Sequence, residues 1–115
     1  MTTIELALRV FIVDDEPPAR SRLRDLLGDC SAQLALDIVG EAGNGQEALD
    51  KLAAMPADVV LLDIRMPQMD GIELAQHLNK LPKPPVVIFT TAYDVYAIKA
   101  FELHAIDYLL KPIRL

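Results

Sequence analysis

Five short apolar runs punctuate the chain: RVFIV (9–13), LALDIV (34–39), DVVLL (58–62), PVVIFT (85–90) and AIDYLL (105–110). Three of them are nearly unbroken, the pattern of parallel strands covered on both faces. Between the runs the apolar spacing lengthens to that of a helix. From Pro18 to Leu27 the stripe is Ala19, Leu23, Leu26 and Leu27, with Arg20, Arg22 and Arg24 expected to look outward. From Gln46 to Ala54 it is Ala48, Leu49 and Leu52, with Pro56 just past the end. Gly71 to Asn79 turns Ile72, Ala75 and Leu78 inward, and Val95 to Leu103 turns Val95, Ile98 and Phe101 inward. Five strands alternating with four helices predict an α/β fold, a doubly wound parallel sheet joined by right-handed crossovers. Ligands of such sheets bind beyond the carboxyl ends of the strands, where the strand order reverses.

Composition narrows the picture. The 115 residues fit one domain, and at 52% hydrophobic and 24% charged residues the chain is neither disordered nor fibrous. A net charge of −6 argues against nucleic-acid binding by the domain itself, since phosphate recognition wants surplus Lys and Arg. The one cysteine, Cys30, cannot form an internal disulfide, which suits a reducing compartment. No apolar run approaches the ~20 residues of a membrane span, and Met1–Leu8 lacks the basic start of a signal peptide. The expectation is a cytoplasmic protein that does not engage a membrane.

The strand ends carry the candidate chemistry. The first run ends in Asp14-Asp15-Glu16, the third in Asp63, the fourth in Thr90-Thr91 and the fifth in Lys111-Pro112. If the first and third strands are neighbours, Asp14, Asp15 and Asp63 converge and repel one another. A hard divalent cation such as Mg²⁺ together with Lys111 balances them, and Mg²⁺ favours carboxylate oxygens and retained waters. A soft-metal site is not on offer, because His77, His104 and Cys30 have no ligand-like spacing. An Asp carboxylate can attack phosphorus, and phosphoryl transfer depends mainly on positioning and charge stabilisation by metal, lysine and hydroxyl groups. The Thr91 hydroxyl and nearby backbone N–H groups complete such a pocket.

These residues in this order, IVDDEPPAR (12–20), LLDIRMPQMDG (61–71), FTTAY (89–93) and DYLLKP (107–112), resemble the receiver domain of two-component response regulators. Within that family, VDDEPPAR and TAYDVYAIKAF look most like regulators with a LytTR-type DNA-binding output domain. The resemblance implies a sheet order of 2-1-3-4-5 and a phosphoacceptor at Asp63. It implies Mg²⁺ or Mn²⁺ held by Asp14, Asp15, Asp63 and the backbone carbonyl of Arg65. Thr91 matches the family's switch hydroxyl, Tyr108 its switch aromatic, and Lys111 its phosphate-contacting lysine. The implied partner is a sensor histidine kinase or phosphotransfer protein. Tyr93 and Arg65 flank the approach to Asp63, from which slow self-dephosphorylation is expected.

Plainer readings stand beside these. Asp14-Asp15-Glu16 fits an acidic helix entry before Pro17 and Pro18, and Asp70-Gly71 fits a turn before a helix. The stretch from Gly40 to Gly45 reads as a glycine-rich turn, since Gln46 stands where a phosphate loop needs lysine. Met66 and Met69 read as packing residues, His77 as a surface residue. Two other functions compete: a receiver-like interaction domain independent of phosphorylation, and a phosphatase with an Asp nucleophile. A phosphatase of the haloacid-dehalogenase type places an acid two residues after its nucleophile, whereas position 65 is Arg. The chain is expected to comprise an N-terminal extension (1–8) and a receiver domain (9–115) truncated before its fifth helix. On that expectation, only the helix around Leu23–Leu27 covers one sheet face, and strands three to five stay bare enough there to drive self-association or a homodimer.

Overall fold

The computed structural model describes residues 7–30, 35–91 and 107–110. Its elements run β1 (Leu8–Val13), α1 (Pro17–Cys30), β2 (Leu36–Ala42), α2 (Gly45–Ala54), β3 (Val59–Asp63), α3 (Gly71–Leu78), β4 (Val86–Thr91) and β5 (Asp107–Leu110). The strands form one parallel sheet in the order β2-β1-β3-β4-β5. Chain order therefore reverses between β1 and β3, as the family resemblance implies. The helix expected over Val95–Leu103 lies outside the described residues.

Alternation along the strands builds two cores. Phe11, Val13, Val60, Leu62, Val87 and Phe89 point to one face and pack with Ala48 and Leu52 of α2 and Ile72, Ala75 and Leu78 of α3. Leu74, absent from the predicted stripe, is fully buried there as well. The opposite face carries Val10, Ile12 and Leu61 with Leu23 of α1. Strands buried on both sides have no wet face, which is why their sequences read as continuous apolar runs.

Four expectations need correction. The second strand extends beyond LALDIV to Ala42, because Gly40, Glu41 and Ala42 pair with Phe11, Ile12 and Val13. As an edge strand, β2 tolerates the polar Glu41. Gly40 is therefore a strand residue: a Cβ there would come 2.7 Å from the Phe11 ring, which lies against the bare backbone. The turn shrinks to Gly43-Asn44, and Asn44 caps α2 by accepting from the Glu47 N–H at 2.8 Å. Glu47 answers by accepting from the Gly43 N–H, closing a reciprocal cap. Second, the face expected to be bare is partly covered: Leu61 is 6% exposed, while Val59 and Ile88 are half-buried. Third, Arg20 does not look outward; its side chain is only 21% exposed and ion-pairs with Glu41. β1 also opens at Leu8, inside the stretch expected to precede the domain.

Candidate functional site at the carboxyl ends of the strands

The site begins where β1 stops. The Asp14 N–H donates to the Ala42 carbonyl at 3.1 Å, continuing the β1–β2 pairing one residue past the strand. Its carboxylate then accepts from the Glu16 N–H at 2.9 Å, an Asx turn that swings the chain into α1. Pro17 and Pro18 open the helix, where a missing N–H costs no helical bond. The acidic helix entry and the pocket are thus one structure, since the carboxylate that shapes the turn also faces the site.

Asp63 ends β3 one strand away, in register with Thr90 of β4. The loop that follows is tied down by the Gly71 N–H donating to the Ile64 carbonyl at 2.7 Å. Asp70 caps α3 through the Glu73 N–H, confirming the plain reading of Asp70-Gly71. Gly71 is required by space: a Cβ would run into the Asp63 carbonyl oxygen and come 2.8 Å from the Ile64 Cα. The left-handed residue of this loop is instead Gln68, at φ 68°. Met66 is buried and Met69 packs against the core, as expected. Arg65 is exposed and, with Met66, Pro67 and Asp70, borders an open cleft of about 430 Å³.

The neighbouring strands bring Asp14, Asp15 and Asp63 together, with one carboxylate oxygen of each lying within 4.8 Å of the others. Asp14 is fully buried and Asp63 is 5% exposed. Three buried or half-buried carboxylates at this spacing form a hard, oxygen-only donor set. Ligand oxygens across an octahedral Mg²⁺ lie about 4.2 Å apart at ~2.1 Å bonds, so a small side-chain adjustment closes the set around the ion. The donor set therefore fits Mg²⁺ or Mn²⁺.

Thr91 pairs with Leu110 through its backbone, and Tyr108 with Phe89, which sets both residues on the two strands beyond Asp63. Lys111, Tyr93 and His104 lie outside the described residues. His77 is exposed, as a surface residue should be.

Sequence reasoning missed two features. Thr90 is fully buried beside Asp63 in register, and its hydroxyl oxygen has no hydrogen-bond partner among the described residues. Arg20 reaches back from α1 to donate to the Asp14 carbonyl at 2.7 Å and to Glu41 at 3.2 Å. The spacing held a signal for the second: Arg20 and Arg24 are four residues apart and share a helix face, and both meet Glu41.

Similar proteins agree with this geometry. The response regulator receiver domain family matches residues 10–115. An uncharacterized response regulatory protein of Vibrio cholerae is 56% identical over 102 residues, covering 89% of this chain and 38% of the relative. The positive alginate biosynthesis regulatory protein of Pseudomonas aeruginosa is 47% identical, covering 93% of this chain and 42% of its own length. This chain thus spans about two-fifths of these curated relatives. The response regulatory domain of mrkE from Klebsiella pneumoniae superposes with a TM-score of 0.84 at 36% identity, covering 93% of this chain and 85% of that one. The CheX–CheY–BeF3–Mg²⁺ complex from Borrelia burgdorferi superposes at 0.82 with 27% identity, covering 93% and 80%. Strand order, carboxylate placement and sequence converge: the chain belongs to the response regulator receiver domain family of two-component systems.

Proposed function

We propose that Asp63 is the phosphoacceptor of this receiver, and that Asp14, Asp15, Asp63 and the Arg65 carbonyl hold Mg²⁺ or Mn²⁺ beside it. The observation that carries this reading is the convergence of the three carboxylates at the reversal point of the sheet. The relative solved as a BeF3–Mg²⁺ complex supports it. A carboxylate oxygen of Asp63 attacks phosphorus in line, and the donor's bond to phosphorus breaks as the acyl phosphate forms. The bound cation would supply charge compensation to the phosphoryl oxygens. Lys111 adds a second positive charge, and the Thr91 hydroxyl donates to the phosphoryl group. The space Thr91 leaves lets Tyr108 move inward, so a local charge change biases a surface near β5.

The proposed donor is a sensor histidine kinase or phosphotransfer protein in the cytoplasm. The chain acts as phosphoacceptor rather than as a turnover enzyme, its receiver domain beginning at β1. The name of one relative, a transcriptional regulatory protein of Salmonella typhi that is 49% identical, supports a DNA-binding output domain under its control. No described helix is long and apolar enough to cross a membrane. The surface that Val59 and Ile88 still expose despite the partial cover of the α1 face supports self-association there, checked by sedimentation velocity, where a monomer at high concentration refutes it.

The deciding experiment labels the chain with acetyl phosphate. Asp63→Asn is expected to abolish Mg²⁺-dependent labelling while the fold stays intact by circular dichroism. Full labelling of that variant would sink the assignment.

A further inference from the structure

We propose that Arg20 is a positioning residue for the carboxylate pocket, fixing the peptide plane between Asp14 and Asp15. This inference rests on the reading of those carboxylates as cation ligands and deepens it. The Arg20 guanidinium donates to the Asp14 carbonyl at 2.7 Å. That oxygen belongs to a planar, rigid unit whose two ends are the Asp14 and Asp15 Cα atoms. A bond to it therefore orients the stems of both carboxylates at once. Two like charges on adjacent residues otherwise gain by rotating apart. The Glu16 N–H donates to the Asp14 carboxylate and restrains that side chain, whereas Arg20 acts on the shared peptide plane.

The guanidinium is itself held. Its Nε donates to Glu41 at 3.2 Å, and Arg24 donates to the other oxygen of the same carboxylate at 2.7 Å. Lys51 fixes the Glu41 backbone carbonyl at 2.7 Å. The edge strand β2 thus serves as an anchor, and Arg20 carries its rigidity across to the loop after β1. A planar fork can bridge two acceptors at a fixed angle; an ammonium group is a compact point charge and cannot. Glu41 is shared by Arg20 and Arg24 and offsets only part of their charge; a bare positive charge beside the pocket would weaken cation binding, so the influence inferred for Arg20 is the opposite, geometric one.

Outer groups that orient ligands typically change metal affinity about 10–100-fold when removed. Calorimetric titration of the full chain with Mg²⁺ reads this directly. Arg20→Ala is expected to weaken binding about tenfold, the low end of that range for a residue acting through backbone, with Arg20→Lys falling between it and the unsubstituted chain. Arg24→Ala removes a comparable contact to Glu41 without touching the Asp14 carbonyl, and should leave affinity within about twofold. In acetyl phosphate labelling, Arg20→Ala should raise the Mg²⁺ concentration for half-maximal rate and leave the rate at saturating Mg²⁺ unchanged. Affinity unchanged or tightened in Arg20→Ala overturns the inference, tightening being the sign of a purely electrostatic cation. Equal weakening by Arg24→Ala overturns it too, by assigning the effect to the network at large. Absence of Mg²⁺ binding by the unsubstituted chain, or affinity unmoved by Asp15→Asn, overturns the pocket reading itself, and the inference falls with it.

Discussion

The two ends of the sheet are built on opposite principles. At the amino ends of the strands, polar groups are matched locally. The Arg9 N–H donates to the Asp58 carboxylate at 2.8 Å, and Asp58 returns its own N–H to the Arg9 carbonyl at 2.9 Å. The Val86 N–H then donates to the Asp58 carbonyl at 2.9 Å, so one residue ties β1, β3 and β4 together. Beside this clasp lies an apolar groove of about 310 Å³ between Leu52, Pro56, Leu81 and Pro85. At the carboxyl ends, the chain instead concentrates buried carboxylates, a threonine hydroxyl with no partner among the described residues and a left-handed glutamine. A fold optimised for stability alone would not gather these in one place. Departures of this kind mark functional sites, where the surrounding fold tolerates local cost.

The largest break in that contrast comes from Gly71→Ala. Its Cβ would meet the Asp63 carbonyl and the Ile64 Cα, both backbone atoms that cannot swing away. Overpacking of this kind costs about 3 kcal/mol, the upper end of its usual range. At ~4–8 °C per kcal/mol for a domain of this size, melting should fall by more than about 10 °C. Mg²⁺ binding should weaken too, because the Asp63 backbone has to move. A variant that melts within about 2 °C of the unsubstituted chain would mean the loop after β3 is not close-packed.

A smaller effect of opposite sign is expected in the same loop. Gln68 sits at φ 68°, a conformation costing a residue with a Cβ roughly 1 kcal/mol. Gln68→Gly relieves that strain, while the added freedom of the unfolded chain offsets part of the gain. The net expectation is a stabilisation of about 0.5 kcal/mol, measured by denaturant titration. Destabilisation would show that the Gln68 side chain contributes more than its backbone costs.

What the sequence makes legible follows from the range of the interaction that decides it. Apolar periodicity places the sheet and α1 to α3 because burial is read residue by residue. The carboxylates are legible because parallel strands deliver their ends to one edge, and a resemblance names the pocket. The boundary of β2 is less legible: pairing with β1, not hydropathy, carries it through Gly40 and Glu41. Arg20 is misread for a similar reason. A charged residue on a helix defaults to solvent, and only the fold brings Glu41 and the Asp14 carbonyl within its reach. Gly71 is read as a turn residue, whereas its cause is the backbone of Asp63 and Ile64, eight and seven positions away.

The subtlest test applies one exchange, Asp→Asn, at both ends. Asp63→Asn removes one of three clustered carboxylates, so the metal-free chain should gain stability as repulsion falls. Asp58→Asn should do the reverse. The backbone hydrogen bond from Arg9 is the main cause that holds the Asp58 carboxyl below 3.8, with the Arg9 side chain adding to it. A depressed folded pKa stabilises the native state above the unfolded value, and that contribution disappears as pH falls through the folded one. The unsubstituted chain should therefore exceed Asp58→Asn in stability at pH 7, and the two should converge below about pH 4. The gap is expected to be small, because asparagine still accepts from the Arg9 N–H and the ion pair, at 3.6 Å, is nearly half exposed on both sides. High salt should narrow it further, since exposed charges are screened. Urea titrations of both proteins at pH 7 and pH 3 measure the difference directly, so acid effects common to both cancel. A gap as large at pH 3 as at pH 7 would place its origin in packing, and the amino end would then owe its order to shape rather than to the charge of Asp58.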